Sequence, residues 1–259
     1  PYPHDWRTGG KGWWQMSDMH NTPEGSSETG LSRFVSRIAA SRWRTLAVFL
    51  ALWGVFLYLS TASTLWDRDE PRFARATVEM VQSGNYLVPT FNGELRADKP
   101  ILIYWLMAMP MRVLGQTELA CRFFGTVGAV VAAVLTFLLG NRLFSARVGL
   151  MAGIAVLTTP LMTVSGTAAT TDAVLLAFMS GAIIVFFRGM EKGTEWRHGI
   201  GFGVLLGGAM LTKGPVGIAI PALALVPCLV FLRREVPRVK ASWGWFLAGV
   251  LIALAMFVA

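Results

Sequence analysis

The feature that most constrains this chain is a succession of apolar runs separated by short basic clusters. The runs cover about 43–62, 100–114, 119–140, 148–168, 172–189, 199–212, 215–232 and 243–259. Most of them approach the ~20 residues that a helix needs to cross a bilayer. Apolar residues fill 54% of the 259 positions and charged residues only 15%. A water-soluble domain carries nearer ~25% charge, so the bulk solvent for this chain is expected to be lipid. The formal charge of +8 would suit nucleic acid. Its carriers are dispersed between the runs rather than gathered on one face, so membrane lipid is an expected partner and nucleic acid is not. The expected fold class is all-α, a polytopic transmembrane bundle.

Residues 1–30 are polar, rich in Gly, Ser and Thr, and without periodicity, so they read as disordered. Met16 or Met19 is an alternative start, which would make Pro1–Gln15 an upstream segment. The division is a disordered, basic, cytoplasmic segment over 1–42 and a transmembrane unit over 43–259. The first run has one competing reading as a signal peptide, with Ser60-Thr61-Ala62 as the cleavage site. Its length and its aromatics Trp53, Phe56 and Tyr58 favour an anchoring helix. The chain stops at Ala259 inside an apolar run, which leads us to expect a fragment of a longer protein.

Pro100–Leu114 decides the topology. It is about fifteen residues long, short of the ~20 needed, and Pro110 interrupts it. If it does not cross, Arg33, Arg37, Arg42 and Arg44 share a side with Arg142 and Arg147. Arg188, Lys192 and Arg197 fall there too, as do Arg233, Arg234, Arg238 and Lys240. All the basic clusters are then cytoplasmic, as the positive-inside rule requires. Residues 63–118 become one long extracytoplasmic loop, with 167–172 and 212–214 as short turns on the same face.

The remaining charges collect on that face. The first group is Asp67, Arg68, Asp69, Glu70, Pro71, Arg72 and Arg75. It also reads as a helix start, with Asp69 or Glu70 as cap and Pro71 at the first position. The second is Arg96-Ala97-Asp98-Lys99-Pro100, which also reads as a solvated turn with Lys99 snorkelling. The third is Thr170-Thr171-Asp172, equally an N-cap, and the fourth is Thr212-Lys213-Gly214-Pro215, equally an interfacial anchor. Together they bring carboxylates and cations from separate loops to one side. Transfer of a sugar from a polyprenyl phosphate needs such a set. Arg and Lys neutralise the leaving phosphate, and a carboxylate takes the acceptor's proton. A single in-line displacement inverts the anomeric carbon.

Four motifs in order carry a resemblance over about Arg42 to Leu232. They are Leu65-Trp66-Asp67-Arg68-Asp69-Glu70-Pro71-Arg72-Phe73-Ala74, Asp98-Lys99-Pro100, Thr171-Asp172 and Thr212-Lys213-Gly214. They resemble the dolichyl-phosphate-mannose–protein mannosyltransferase superfamily of GT-C membrane glycosyltransferases, most of all the bacterial aminoarabinose transferases that modify lipid A. The resemblance implies Asp69 as the catalytic loop acid, with Glu70 and Asp172 as further catalytic acids. It implies Arg72, Lys99 and Lys213 as donor-phosphate ligands. It also implies juxtamembrane helices in the 63–118 loop and further membrane helices with a C-terminal domain beyond Ala259. Asp98 stands where those enzymes resemble one another in having Glu, which weakens the inference of a divalent metal there. No other cofactor is implied.

The expected activity is an inverting, polyprenyl-phosphate-dependent glycosyltransferase acting at the outer face of a bacterial cytoplasmic membrane. Its partners are a polyprenyl-phosphate-linked sugar and a lipid, protein or glycan acceptor. A transporter and a non-catalytic membrane scaffold are the competing classes. A transporter would hold its charges near the midplane on broken helices, whereas here they sit at helix ends. Cys121 and Cys228 lie inside apolar runs without metal-ligand spacing, and His4, His20 and His198 are scattered.

Overall fold

The computed structural model describes residues 30–65, 69–96, 98–192, 195–232 and 239–258. Among them the chain is almost entirely helical. Helix α1 spans Gly30–Ala39 and α2 spans Arg42–Thr61. The helix at α1 corrects the expectation that 1–42 is disordered. Leu31, Phe34, Val35 and Ile38 follow the i, i+3, i+4, i+7 spacing of an amphipathic helix, which the polar residues upstream obscured. Val35 and Ile38 pack against a core cluster containing Phe49 and Leu150, and this pins the short helix. The disorder expected over 1–29 falls outside the described residues.

After α2 the chain forms a cap rather than another span. Helix α3, Glu70–Ser83, takes Pro71 in its first turn and ends at Gly84, whose φ of 71° is the left-handed C-cap that glycine adopts without strain. It buries Phe73, Ala76, Thr77 and Met80. A small antiparallel hairpin follows, β1 at Thr90–Phe91 and β2 at Glu94–Leu95. Asn92 (φ 54°) and Gly93 (φ 80°) make its turn, the Asn-Gly pairing that two-residue hairpins favour. The sequence reading had no strands here.

Helix α4, Leu102–Leu114, has 13 residues. At 1.5 Å per residue it reaches about 20 Å, against ~30 Å of hydrocarbon. It packs instead between α3 and α5: Phe73 and Tyr104 stand 5.7 Å apart at their ring centroids, and one cluster joins both to Met107, Ala120 and Cys121.

The bundle continues with α5 (Glu118–Leu143), α6 (Ala146–Thr158), α7 (Pro160–Thr167), α8 (Asp172–Lys192), α9 (Trp196–Lys213), α10 (Val216–Leu232) and α11 (Val239–Val258). Among the described residues three helices are long and apolar enough to cross a membrane: Arg42–Thr61, Glu118–Leu143 and Asp172–Met190. A fourth span exists if α6 and α7 count as one, although they bend by 64°. The single helix expected over 148–168 is thus broken. Proline disfavours the helical conformation at the residue before it, and Thr159 sits extended at φ −66°, ψ 135°. Helices α9 and α11 approach backbone to backbone: a Cβ on Gly203 would stand 2.5 Å from the Gly249 carbonyl oxygen.

Candidate active site

Arg122 fixes the end of the bundle where the expected site residues lie. It stands in the second turn of α5 and is fully buried. Its Nε and Nη2 donate to both carboxylate oxygens of Glu70 at 2.9 and 2.8 Å. Nη1 donates to the carbonyls of Ser60 (2.8 Å) and Ser63 (2.7 Å), and Nη2 also to that of Thr64 (3.0 Å). Glu70, likewise fully buried, accepts in addition from the backbone N–H of Ala169. One guanidinium therefore ties the end of α2, the loop after it, the start of α3 and the start of α5. Through Glu70 it also reaches the α7–α8 turn that precedes Asp172. A bidentate Arg–carboxylate pair is the geometry that offsets the cost of burying both charges.

The clamp separates the two neighbouring acids. Glu70 faces inward, fully buried, with both carboxylate oxygens engaged by Arg122. Asp69 stays half-buried at the α3 N-cap position, and its side chain makes no capping hydrogen bond. Asp69 thus holds the expected cap position without capping through its side chain.

A second assembly begins at the hairpin. Glu79 on α3 accepts from the Thr90 hydroxyl (2.8 Å), the backbone N–H groups of Asn92 (2.8 Å) and Gly93 (3.3 Å), and Arg75 (2.9 Å). The Thr90 bond is the largest cause that holds the Glu79 carboxyl below its ordinary value, with the two backbone N–H groups and Arg75 adding to it against desolvation. So fastened, the hairpin delivers Arg96 into the cap, 7% exposed. Arg96 Nε donates to the Tyr104 hydroxyl at 2.9 Å, and Nη1 lies 3.6 Å from Asp98. Burial pushes the Tyr104 phenol up, Arg96 opposes this, and the charges of Asp98 and Asp69 push it further up.

Beyond Asp98 opens a cleft of about 790 Å³. Asp98, Lys99, Trp105, Lys213, Gly214 and Phe257 are among its lining residues. It therefore joins the Asp-Lys-Pro loop to the α9–α10 turn, segments more than a hundred residues apart in sequence. Lys213 forms an ion pair with Asp172 across the α8–α9 ends, both side chains part-exposed. Lys99 is half-buried and makes no ion pair among the described residues. Arg72 is half-buried on α3 and is not part of the cleft lining. The cleft thus brings Asp98 and Lys99 together with Lys213, which pairs with Asp172, while Glu70 lies in the Arg122 clamp instead.

The residues do not fit a metal site on their own. Among the described residues no group of three His, Cys, Asp or Glu side chains converges, and Asp98, 65% exposed, already faces a guanidinium. Sequence reading passed over Arg122, whose signal was available: it is a lone formal charge inside an apolar run, where charge is costly without a partner.

A family model described as dolichyl-phosphate-mannose-protein mannosyltransferase matches residues 98–259. The undecaprenyl phosphate-alpha-4-amino-4-deoxy-L-arabinose arabinosyl transferase of Shewanella sediminis is 30% identical over 215 residues, which is 81% of this chain and 38% of that protein. Its counterpart in Edwardsiella ictaluri is 33% identical over 197 residues, 74% of this chain and 35% of that protein. Among solved structures, ArnT from Cupriavidus metallidurans bound to undecaprenyl phosphate superposes with a TM-score of 0.70 at 26% identity, over 83% of this chain and 39% of that one. The archaeal oligosaccharyltransferase AglB from Archaeoglobus fulgidus gives a TM-score of 0.63 over 83% of this chain and 30% of that one; at 13% identity it speaks for the fold alone. The chain thus spans less than half the length of these relatives. On the family match over residues 98–259, the chain belongs to the dolichyl-phosphate-mannose-protein mannosyltransferase family.

Proposed function

We propose that this chain forms part of an inverting glycosyltransferase that moves a sugar from a polyprenyl phosphate to an acceptor at the outer face of a bacterial cytoplasmic membrane. The observation that carries the reading is the cleft, which presents Lys99 and Lys213 from separate loops beside an apolar wall that includes Trp105 and Phe257. A phosphate on a lipid tail needs that combination of cations and apolar surface. The names of the relatives support undecaprenyl phosphate as the carrier and 4-amino-4-deoxy-L-arabinose as the sugar. A lipid acceptor of the lipid A type fits that sugar better than a protein or a glycan. The transporter and scaffold readings fit family membership less well.

In the proposed step the acceptor hydroxyl attacks the anomeric carbon, and its proton passes to the Asp69 carboxylate. The bond from that carbon to the phosphate oxygen breaks with its electron pair, leaving a lipid phosphate whose added charge Lys99 neutralises. Lys213 stands at the same cleft, held by Asp172, and we assign Asp172 to positioning that lysine. Arg72, half-buried on α3 and outside the cleft lining, is a further candidate ligand of the donor phosphate. No step is routed through a metal.

The test is transfer of radiolabelled sugar from purified undecaprenyl donor to lipid A by the reconstituted protein. Lys99→Met should lose roughly ten- to a hundred-fold in donor use, the value of one charge-assisted contact. Unchanged donor use would remove the cleft from the reaction.

A further inference from the structure

At the end of the bundle opposite the cleft, α1 carries a surface that the reaction does not use. Its apolar side is only partly spent on the protein. Val35 and Ile38 pack on the core, while Leu31 and Phe34 are 70% and 61% exposed. Arg33 and Arg37 project from the polar side, both exposed. Its last turn is tied to α2 by Arg44, which donates to the Arg37 carbonyl at 3.2 Å, and by the Thr45 hydroxyl, which donates to the Ile38 carbonyl at 3.3 Å. The helix is therefore fixed where α2 begins its apolar span. Trp43, 67% exposed with the Arg42 guanidinium 5.2 Å from its ring centroid, marks that level as a membrane boundary.

Over α1 and α2 the charged residues have one sign. No Asp or Glu occurs between Gly30 and Leu65. An exposed apolar pair flanked by the exposed Arg33 and Arg37 at the level of the headgroups fits one partner chemistry, the anionic surface of the bilayer itself.

We propose that α1 is an interfacial docking helix that inserts Leu31 and Phe34 at the headgroup–acyl boundary and binds anionic phospholipid headgroups through Arg33 and Arg37. The arrangement clamps the cytoplasmic entry of α2 to the lipid surface and makes the order of α1 depend on lipid charge.

The test uses the whole chain in lipid nanodiscs, comparing phosphatidylcholine alone with discs that also contain phosphatidylglycerol, and reads backbone hydrogen exchange over 31–39. Exchange there should slow when phosphatidylglycerol is present. Each arginine near such a surface is worth on the order of fivefold, so Arg33→Gln with Arg37→Gln should remove on the order of 25-fold of that protection. Protection in α2 and α5 should stay unchanged, which separates lost docking from lost fold. A bimane on Phe34→Cys should be quenched by acyl-brominated lipid, and one on Ser36→Cys should not. Protection independent of phosphatidylglycerol, or surviving the double substitution, would overturn the proposal. So would an unquenched probe at 34, which would mean that protein rather than lipid covers this face.

Discussion

Asp69 and Glu70 are adjacent carboxylates in different surroundings, and substitution should tell them apart. Asn has the size of Asp and leaves the start of α3 intact, so Asp69→Asn should retain the thermal stability of the parent. Sugar transfer should nevertheless fall by ~10²-fold or more, since general-base catalysis supplies about 10²–10⁴. Glu70→Gln is the opposite case. It leaves the fully buried Arg122 with its charge uncompensated, which costs about 3–5 kcal/mol, so the melting temperature in detergent should drop along with activity. Near-normal transfer by Asp69→Asn would move the base to another loop, with Asp172→Asn as the next variant to assay. The sequence showed where the acids were but not which way they pointed. Direction here is decided by Arg122, a partner 52 positions away from Glu70, and no local pattern encodes that distance.

At the scale of elements, apolar length and basic punctuation were enough to place the helices. Pro100–Leu114 reads as short from the sequence, and the structure has a 13-residue helix there, because length is a local quantity. What was missed follows from competition between local signals. The break at Thr159 was hidden by apolar residues on both sides of Pro160, and α1 by its polar flank. The hairpin was missed because two residues per strand are too few to show alternation. That hairpin gives a pH prediction. The Glu79 carboxyl is held below its ordinary value of 4.5. A lowered folded pKa means that its contribution is complete above the unfolded value and lost as pH falls through the folded one. The hairpin should therefore stay fastened at neutral pH and loosen only below about pH 4.5. The Asn92 and Gly93 amides should then lose protection, their exchange approaching the intrinsic rates for that pH. Glu79→Gln should show fast exchange at all pH values and no acid step. Because the hairpin delivers Arg96 and the Asp98-Lys99 turn, the same variant should lose part of its donor use.

For the whole molecule the decisive property is polarity from one end to the other. The ends of α2 and α9 and the starts of α5 and α8 meet the cap, while Arg142 and Arg188 stand at the far ends of α5 and α8. Labelling from outside cells with a membrane-impermeant thiol reagent should reach Glu94→Cys, exposed on the hairpin, and not Arg188→Cys, exposed at the other end. The reverse result would put the cleft in the cytoplasm. The clamp at Arg122 also bears on how such a molecule is made. A guanidinium entering the bilayer with α5 carries an insertion cost of up to about 2.5–3.5 kcal/mol at mid-membrane depth. The carbonyls of Ser60, Ser63 and Thr64 and the Glu70 carboxylate all precede Arg122 in the chain. During vectorial synthesis they have already left the ribosome when α5 reaches the insertion machinery, so the charge can be received on arrival. The Ala169 amide is added later, after α6 and α7 have been laid down, and it closes around a pair that is already formed.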